Sequence, residues 1–274
     1  MRFGLYVIGD EILSGRRSDR HLTQVIALLR ERGLALSWAQ FLPDERDVLQ
    51  AAFTRSMAGT DVVFSCGGIG ATPDDHTRQA AAAAAGLGLE LQPEARALIA
   101  AAVAKRGLHD LSTDEGRRIL MMGEFPVGAR LLPNSYNGIP GFALERHYFV
   151  PGFPVMAWPM IQWVLDTEYR EHFHRDVPME RSVLLYGTPE SSITPLMQDI
   201  EARFEGVRCF SLPSVGDGSD GRPARRHIEL GVKGEPGLAR AAFAYLQQEL
   251  RARDGAFDVL EEGSTLPGQA QGQQ

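Results

Sequence analysis

The chain has 274 residues, 44% apolar and 23% charged, which suits one large or two modest globular domains with a sizeable core. A formal net charge of -7 without any Lys/Arg run argues against nucleic acid as a partner, and the two cysteines, Cys66 and Cys209, lie outside any CxxC or Cys/His pattern, against structural zinc and a disulfide framework. No apolar stretch is long enough to span a bilayer, and the run Phe3–Ile8 is too short for a signal-peptide core, so a soluble, unprocessed cytoplasmic protein without a membrane partner is expected.

Phe3–Ile8 predicts a first buried strand, ended by Gly9, and the acidic loop Gly9–Gly15 follows. With Ser18 or Asp19 as cap, Leu22, Val25, Ile26 and Leu29 fall at helical spacing up to the stop at Gly33. A strand over Ala35–Leu42 comes next, and Pro43-Asp44-Glu45 opens a helix with Val48, Leu49, Ala52 and Phe53 on its inner face. The run Asp61-Val62-Val63-Phe64 predicts a third strand. This alternation of strand and helix implies a mostly parallel sheet covered on both faces, with ligands gathering at the carboxyl ends of its strands.

The third strand runs into Ser65-Cys66-Gly67-Gly68-Ile69-Gly70-Ala71-Thr72-Pro73-Asp74-Asp75-His76-Thr77. Its glycines remove side chains where a ligand could approach the backbone. Thr72 offers an N-cap oxygen, Pro73 suits the first helical position and Asp75 the place of a capping-box carboxylate, which predicts a helix from Pro73 to Ala85. Free amides at a helix start suit phosphate, and two carboxylates beside them would repel it unless a cation bridged the two, so a metal-bound phosphate or pyrophosphate is the chemistry indicated. Simple helix capping is the competing explanation of the same residues.

Further helices are expected over Pro93–Arg106 and Asp114–Met122, then a turn-rich stretch to Phe142 and a hairpin Phe142–Glu145 with His147–Val150. A third glycine turn, Val150-Pro151-Gly152-Phe153-Pro154, leads into a helix over Val155–Leu165. After a polar boundary near Pro178, a small βαββα unit is predicted: Ser182–Tyr186, Glu190–Phe204, Val207–Leu212, His227–Val232 and Pro236–Arg251. His172 and His174 lack a third metal ligand nearby. Arg222, Arg225 and Arg226 suit a solvated hairpin tip, and residues 263–274, rich in Gly, Gln and Pro, a disordered tail.

Gly9-Asp10-Glu11-Ile12-Leu13-Ser14-Gly15 with Asp19, the Gly67–Thr77 loop, Asn137-Gly138-Ile139-Pro140-Gly141-Phe142 and Val150–Pro154 together resemble the successive motifs of the molybdopterin-binding (MoCF biosynthesis) domain of the competence/damage-inducible protein A (CinA) family. The likeness covers most of residues 1–170. It implies a three-layer α/β/α domain over residues 1–172, a small KH-like domain over 178–262, in which Gly187-Thr188-Pro189-Glu190-Ser191 resembles the family's turn, and a homodimer. It further implies a nucleotide or pterin small-molecule ligand and a metal-dependent nucleotide pyrophosphatase acting on a compound such as ADP-ribose or FAD. Molybdopterin adenylyltransfer and a non-catalytic binding module are the alternatives.

On that likeness Asp10, Glu11, Asp19 and Asp75 are the candidate catalytic acids, and Asp74 and Asp75 the ligands of a divalent metal (Mg, Mn or Co). Gly67, Gly68, Gly70, Ala71, Thr72, Thr77, Gly141 and Gly152 are the candidate phosphate and ligand contacts. The chain departs from the family pattern at Ile69 and Ala71, at His21 where Asn is usual, and after Pro154, where Val155-Met156-Ala157 supplies no carboxylate. The family's C-terminal deamidase domain has no counterpart here, so no deamidase activity is expected.

Overall fold

Every residue of β1 (Phe3–Ile8) is buried, because both faces of the strand meet apolar layers. The computed structural model describes residues 1–105, 107, 110–175, 177–218, 224–253 and 257–260. Arg222, the end of the helix expected to reach Arg106, and the tail expected over 263–274 lie outside them.

The chain continues through a short turn of helix α1 (Asp10–Leu13), α2 (His21–Arg30), β2 (Leu36–Leu42), α3 (Arg46–Met57) and β3 (Val62–Cys66). Then come α4 (Thr77–Ala84), β4 (Leu89–Leu91), α5 (Pro93–Ala104), α6 (Asp114–Leu120), β5 (Glu124–Pro126), β6 (Arg130–Leu132), the hairpin β7 (Gly141–Leu144) and β8 (His147–Val150), and α7 (Pro154–Glu168). Six strands form one sheet in the order β2-β1-β3-β8-β7-β6, while β4 and β5 pair separately. β1, β2, β3 and β8 run parallel, and at the far edge β7 pairs antiparallel with β8 and β6 antiparallel with β7.

Alternation along the strands divides the core. Phe3, Leu5, Val7, Phe64 and Tyr148 meet Val25 and Leu29 of α2 and Ile161 and Val164 of α7. Tyr6, Ile8, Val63 and Phe149 meet Leu49 and Phe53 of α3, Ala80 and Ala81 of α4 and Ala95 of α5. The architecture is therefore the expected three-layer α/β/α arrangement. Each fully buried large aliphatic side chain contributes about 1.5–3 kcal/mol. The stacked Phe142–Phe149 pair (centroids 4.4 Å apart) and the edge contact of Phe53 on Phe149 (5.3 Å) add about 0.5–1.5 kcal/mol each. At the end of α2, buried Arg32 forks onto Asp166 of α7 through bonds of 2.7 and 3.0 Å, tying the two helices of one layer together.

From β1 the chain crosses through α2 to β2 on one side, and from β2 it returns through α3 to β3 on the other. The loops after β1 and β3 therefore diverge to opposite faces of the sheet and leave a crevice at its carboxyl edge.

The start of α4 differs from expectation. The helix begins at Thr77 rather than Pro73, and residues 72–75 form a tight turn in which the Asp75 amide donates to the Thr72 carbonyl (3.0 Å). Thr72 caps nothing, because its hydroxyl donates to the Asp75 carboxylate. Thr77 anchors the helix start instead: its amide donates to the Gly68 carbonyl and its hydroxyl to the Gly67 carbonyl, both at 3.0 Å.

Contacts divide the chain into Met1–Arg175 and Asp176–Gln274. The second unit contains β9 (Met179–Tyr186), α8 (Glu190–Arg203), β10 (Arg208–Ser214), β11 (His227–Gly234), α9 (Pro236–Ala252) and β12 (Phe257–Val259). Its antiparallel sheet has the order β10-β11-β9-β12. Val183, Leu185, Leu230 and Val232 pack beneath Ile193 and Leu196 of α8 and Ala242 and Leu246 of α9. Among the described residues, the three-residue β12 is the one addition to the expected βαββα unit.

Candidate functional site

A cleft of about 520 Å³ opens at the carboxyl edge of the first unit's sheet. One wall is the glycine loop: Gly67, Gly68, Ile69, Gly70, Ala71 and Thr72 all line it, with Asp74 and Asp75 beyond. Gly9 and Glu11 enter after β1, Asp44 after β2, and Pro151, Gly152 and Phe153 after β8. Asn134, Asn137, Ile139 and Met156 also line the cleft.

The loop needs its glycines at specific points. Gly67 has φ +113°, and a Cβ there would stand 2.4 Å from the Ile8 carbonyl oxygen, so β1 and β3 could not end this close together. At Gly70 a Cβ would stand 2.5 Å from an Asp75 carboxylate oxygen, so the absence of a side chain is what lets that carboxylate fold back over the loop.

Three carbonyls of the loop are occupied. Thr77 takes those of Gly67 and Gly68, and the Arg78 guanidinium takes that of Gly70 at 2.6 Å. Arg78 is 1% exposed; its other Nη donates to the carbonyls of Met121 and, at 3.4 Å, Glu124. Burial pulls the Arg78 pKa down, opposed by the charges of Glu124 and Asp75. By contrast, among the described residues none accepts from the amides of Gly68, Ile69, Gly70 or Ala71.

The acidic rim is also organised. The Asp10 amide donates to Asp44 Oδ2 (2.9 Å) and the Asp44 amide to Asp10 Oδ1 (3.3 Å), joining the loops after β1 and β2. Burial raises the Asp44 carboxyl above its ordinary pKa, the Asp10 amide lowers it, and the charges of Asp10, Glu11 and Asp74 raise it further.

Of the residues proposed from sequence, Glu11, Asp74, Asp75, Gly67, Gly68, Gly70, Ala71, Thr72 and Gly152 meet at the cleft. Four stand back from its lining. Asp10 is turned to the Asp44 amide. Asp19 accepts from the amides of His21 (2.8 Å) and Leu22 (3.0 Å), holding the first turn of α2. Thr77 is buried beneath the loop, and Gly141 is buried within β7. Asp44, Arg17, Arg78 and the Asn134–Asn137 pair are not evident from sequence spacing. His21, buried, donates from Nε2 to the Gly152 carbonyl (2.9 Å), linking α2 to the third glycine turn. The Asn134 amide donates to Asn137 Oδ1 (2.8 Å), and Asn137 donates to the Met156 sulfur (3.3 Å).

An α/β/α domain with a glycine loop at the switch of its strand order is the class of protein that seats phosphate-bearing small molecules at the sheet edge. The chain belongs to the family described as "Probable molybdopterin binding domain", whose model matches residues 4–171. Its relatives include a CinA-like protein of Geobacter sp. (strain M21), 29% identical over 96% of this chain and 60% of that protein. A CinA-like protein of Anaeromyxobacter sp. (strain Fw109-5) is 32% identical over 89% of this chain and 61% of that protein. The chain thus spans about three-fifths of the length of these curated relatives. Among solved structures, the protein CinA from Thermoplasma acidophilum, described as of unknown function, superposes with a TM-score of 0.53 at 25% identity. That match covers 60% of this chain and 96% of the other. No described helix is long and apolar enough to cross a membrane.

Proposed function

We propose that the cleft binds the pyrophosphate of a nucleotide diphosphate compound such as ADP-ribose or FAD and hydrolyses it. The observation carrying this reading is the coincidence, in one cleft, of four loop amides without described acceptors and the carboxylates of Glu11, Asp44, Asp74 and Asp75. Amides alone would serve for binding; the carboxylates are what a hydrolase adds.

The donor set suits a hard divalent cation such as Mg, Mn or Co, since it is all oxygen. Among the described residues no three His, Cys, Asp or Glu side chains converge to hold a metal by themselves. Asp74 and Asp75 are therefore the residues that would hold such a cation, together with the ligand's own phosphates. Bound there, it would supply charge neutralisation of the pyrophosphate. The protein's own part is to seat phosphate oxygens on the amides of Gly68 to Ala71 and to orient water with Glu11 and Asp44. Water then adds to one phosphorus, the bond to the bridging oxygen breaks, and two phosphomonoesters are released, with two protons once both are fully ionised.

A non-catalytic binding module is the second reading, favoured by the Asn137–Met156 contact where the family carries a carboxylate nearby. Incubation with ADP-ribose, with FAD, or with ATP and a molybdopterin precursor, plus magnesium, manganese or cobalt, separates the two. Phosphomonoester release from ADP-ribose or FAD supports the hydrolase; saturable binding without turnover sinks it and leaves the module. Adenylyl transfer from ATP to a pterin acceptor would redirect the assignment. The reading includes a homodimer, which light scattering at micromolar concentration tests.

A further inference from the structure

A trans peptide sends its carbonyl and the next residue's amide in opposite directions. The peptides of the glycine loop are all trans, and the carbonyls of Gly67, Gly68 and Gly70 are drawn toward α4. The amides of Gly68, Ile69 and Ala71 belong to those same peptides, so they face away from α4, toward the cleft these residues line. Thr77 fixes the first two peptides. For the Gly70–Ala71 peptide, Arg78 is the one side-chain partner on the carbonyl side among the described residues.

A buried guanidinium is an expensive way to hold one carbonyl. Its Nε has no partner among the described residues, and it is not paired directly with a carboxylate. What it gains is reach. One planar fork spans from Gly70 on the loop to Met121 and Glu124, next to Met122, which lines the same cleft. The guanidinium thereby fixes the distance between two walls and leaves a positive charge directly beneath the loop.

We infer that Arg78 is a positioning residue for the anion seat: by holding the Gly70 carbonyl inward it aims the Ala71 amide at a bound phosphate, and by holding Met121 and Glu124 it sets the width of the cleft. This rests on the reading of the loop as a phosphate seat, and it assigns to α4 a role that its alanine-rich sequence does not announce. Arg78 touches no substrate and is not a catalytic residue.

The test uses inorganic pyrophosphate with magnesium as probe and amide NMR of the full chain. In the parent, saturation should shift the amide signals of Ile69 and Ala71. Arg78→Lys keeps the charge but cannot fork, so its affinity should fall about tenfold or more, the order of losing a charge-assisted hydrogen bond. Its Ala71 amide should already be displaced without ligand, while that of Gly68, held by Thr77, stays. Ile161→Val, which destabilises the opposite layer, should leave affinity unchanged and so exclude general loosening as the cause.

Parent amides that ignore pyrophosphate would overturn the seat itself and this inference with it. A parent that binds and an Arg78→Lys variant that binds equally well would overturn the inference alone. Should Arg78→Lys fail to fold, the parent's own Arg78 Nη signals decide: they should shift on saturation together with Ala71, and an unmoved guanidinium beside shifted amides would refute the coupling.

Discussion

Thr72 grips one oxygen of Asp75 from two sides: its amide lies 2.9 Å and its hydroxyl 2.5 Å from Oδ2. The other oxygen has no donor among the described residues. Asp75 thus closes the turn with half of its carboxylate and keeps the other half for the cleft. Asn can still accept both Thr72 bonds, so Asp75→Asn should fold with a nearly unchanged melting temperature while metal-dependent hydrolysis falls at least about a hundredfold. Thr72→Val removes one bond and should cost about 1 kcal/mol of stability with turnover within about tenfold of the parent. If Asp75→Asn turned over at the parent rate and merely melted earlier, Asp75 would be a turn residue only.

Gly67 carries two constraints at once, its positive φ and the Ile8 carbonyl at 2.4 Å from where a Cβ would sit. Gly67→Ala should therefore destabilise by about 2 kcal/mol or more, since backbone strain of this kind and displacement of β1 add. Urea unfolding measures it. A loss below about 0.5 kcal/mol would show that the strand ends separate easily.

Stability should also depend on His147. It is 2% exposed, its Nε2 lies 2.8 Å from the Ser56 hydroxyl, and burial lowers its pKa to about 4, opposed by the charge of Asp61. A histidine kept neutral by the fold accepts its proton in the unfolded chain first, so stability is complete above about pH 6.5 and lost as pH falls toward 4. Between pH 7 and 5 the loss should be about 2 kcal/mol. In His147→Gln this part of the pH dependence should vanish; an unchanged pH profile would assign it to other groups.

Neither thiol should react readily in the native protein. Burial, with a smaller effect from Asp19, raises the Cys66 pKa far above its usual value, and burial beside Glu201 pushes Cys209 up to about 11. With Ellman's reagent at pH 8, Cys209 should react about a hundredfold more slowly than an exposed thiol, and Cys66 only on unfolding. Rapid titration of two thiols in the folded chain would contradict this burial.

The parallel strands are legible in sequence because both faces are covered, so Phe3–Ile8 and Val62–Cys66 read as apolar runs without the alternation of a half-exposed strand. β4, β5, β6 and β12 have three residues each, too few to carry a period. The start of α4 misleads for a chemical reason: Thr72, Pro73 and Asp75 are the residues of a helix start, and here the same groups satisfy one another in a turn. Asp44 reads as a helix opener, and only the adjacency of β1 and β2 brings it to Asp10. Nothing in the sequence around Arg78 marks it, because the carbonyls of Met121 and Glu124 that make its burial tolerable come from far along the chain.

A seat made of main-chain amides is hard to erase by point mutation, because every residue type except proline supplies the same N–H. On the proposed reading, the glycine loop would therefore keep its amides for an anion whatever side chains stand at Ile69 and Ala71, wherever space allows. Discrimination between one phosphate compound and another would then fall to the rest of the lining, where Asn134, Asn137, Ile139 and Met156 present replaceable side chains. Such a cleft separates a fixed handle from an editable face, so a lineage could exchange its substrate by altering the second while inheriting the first intact.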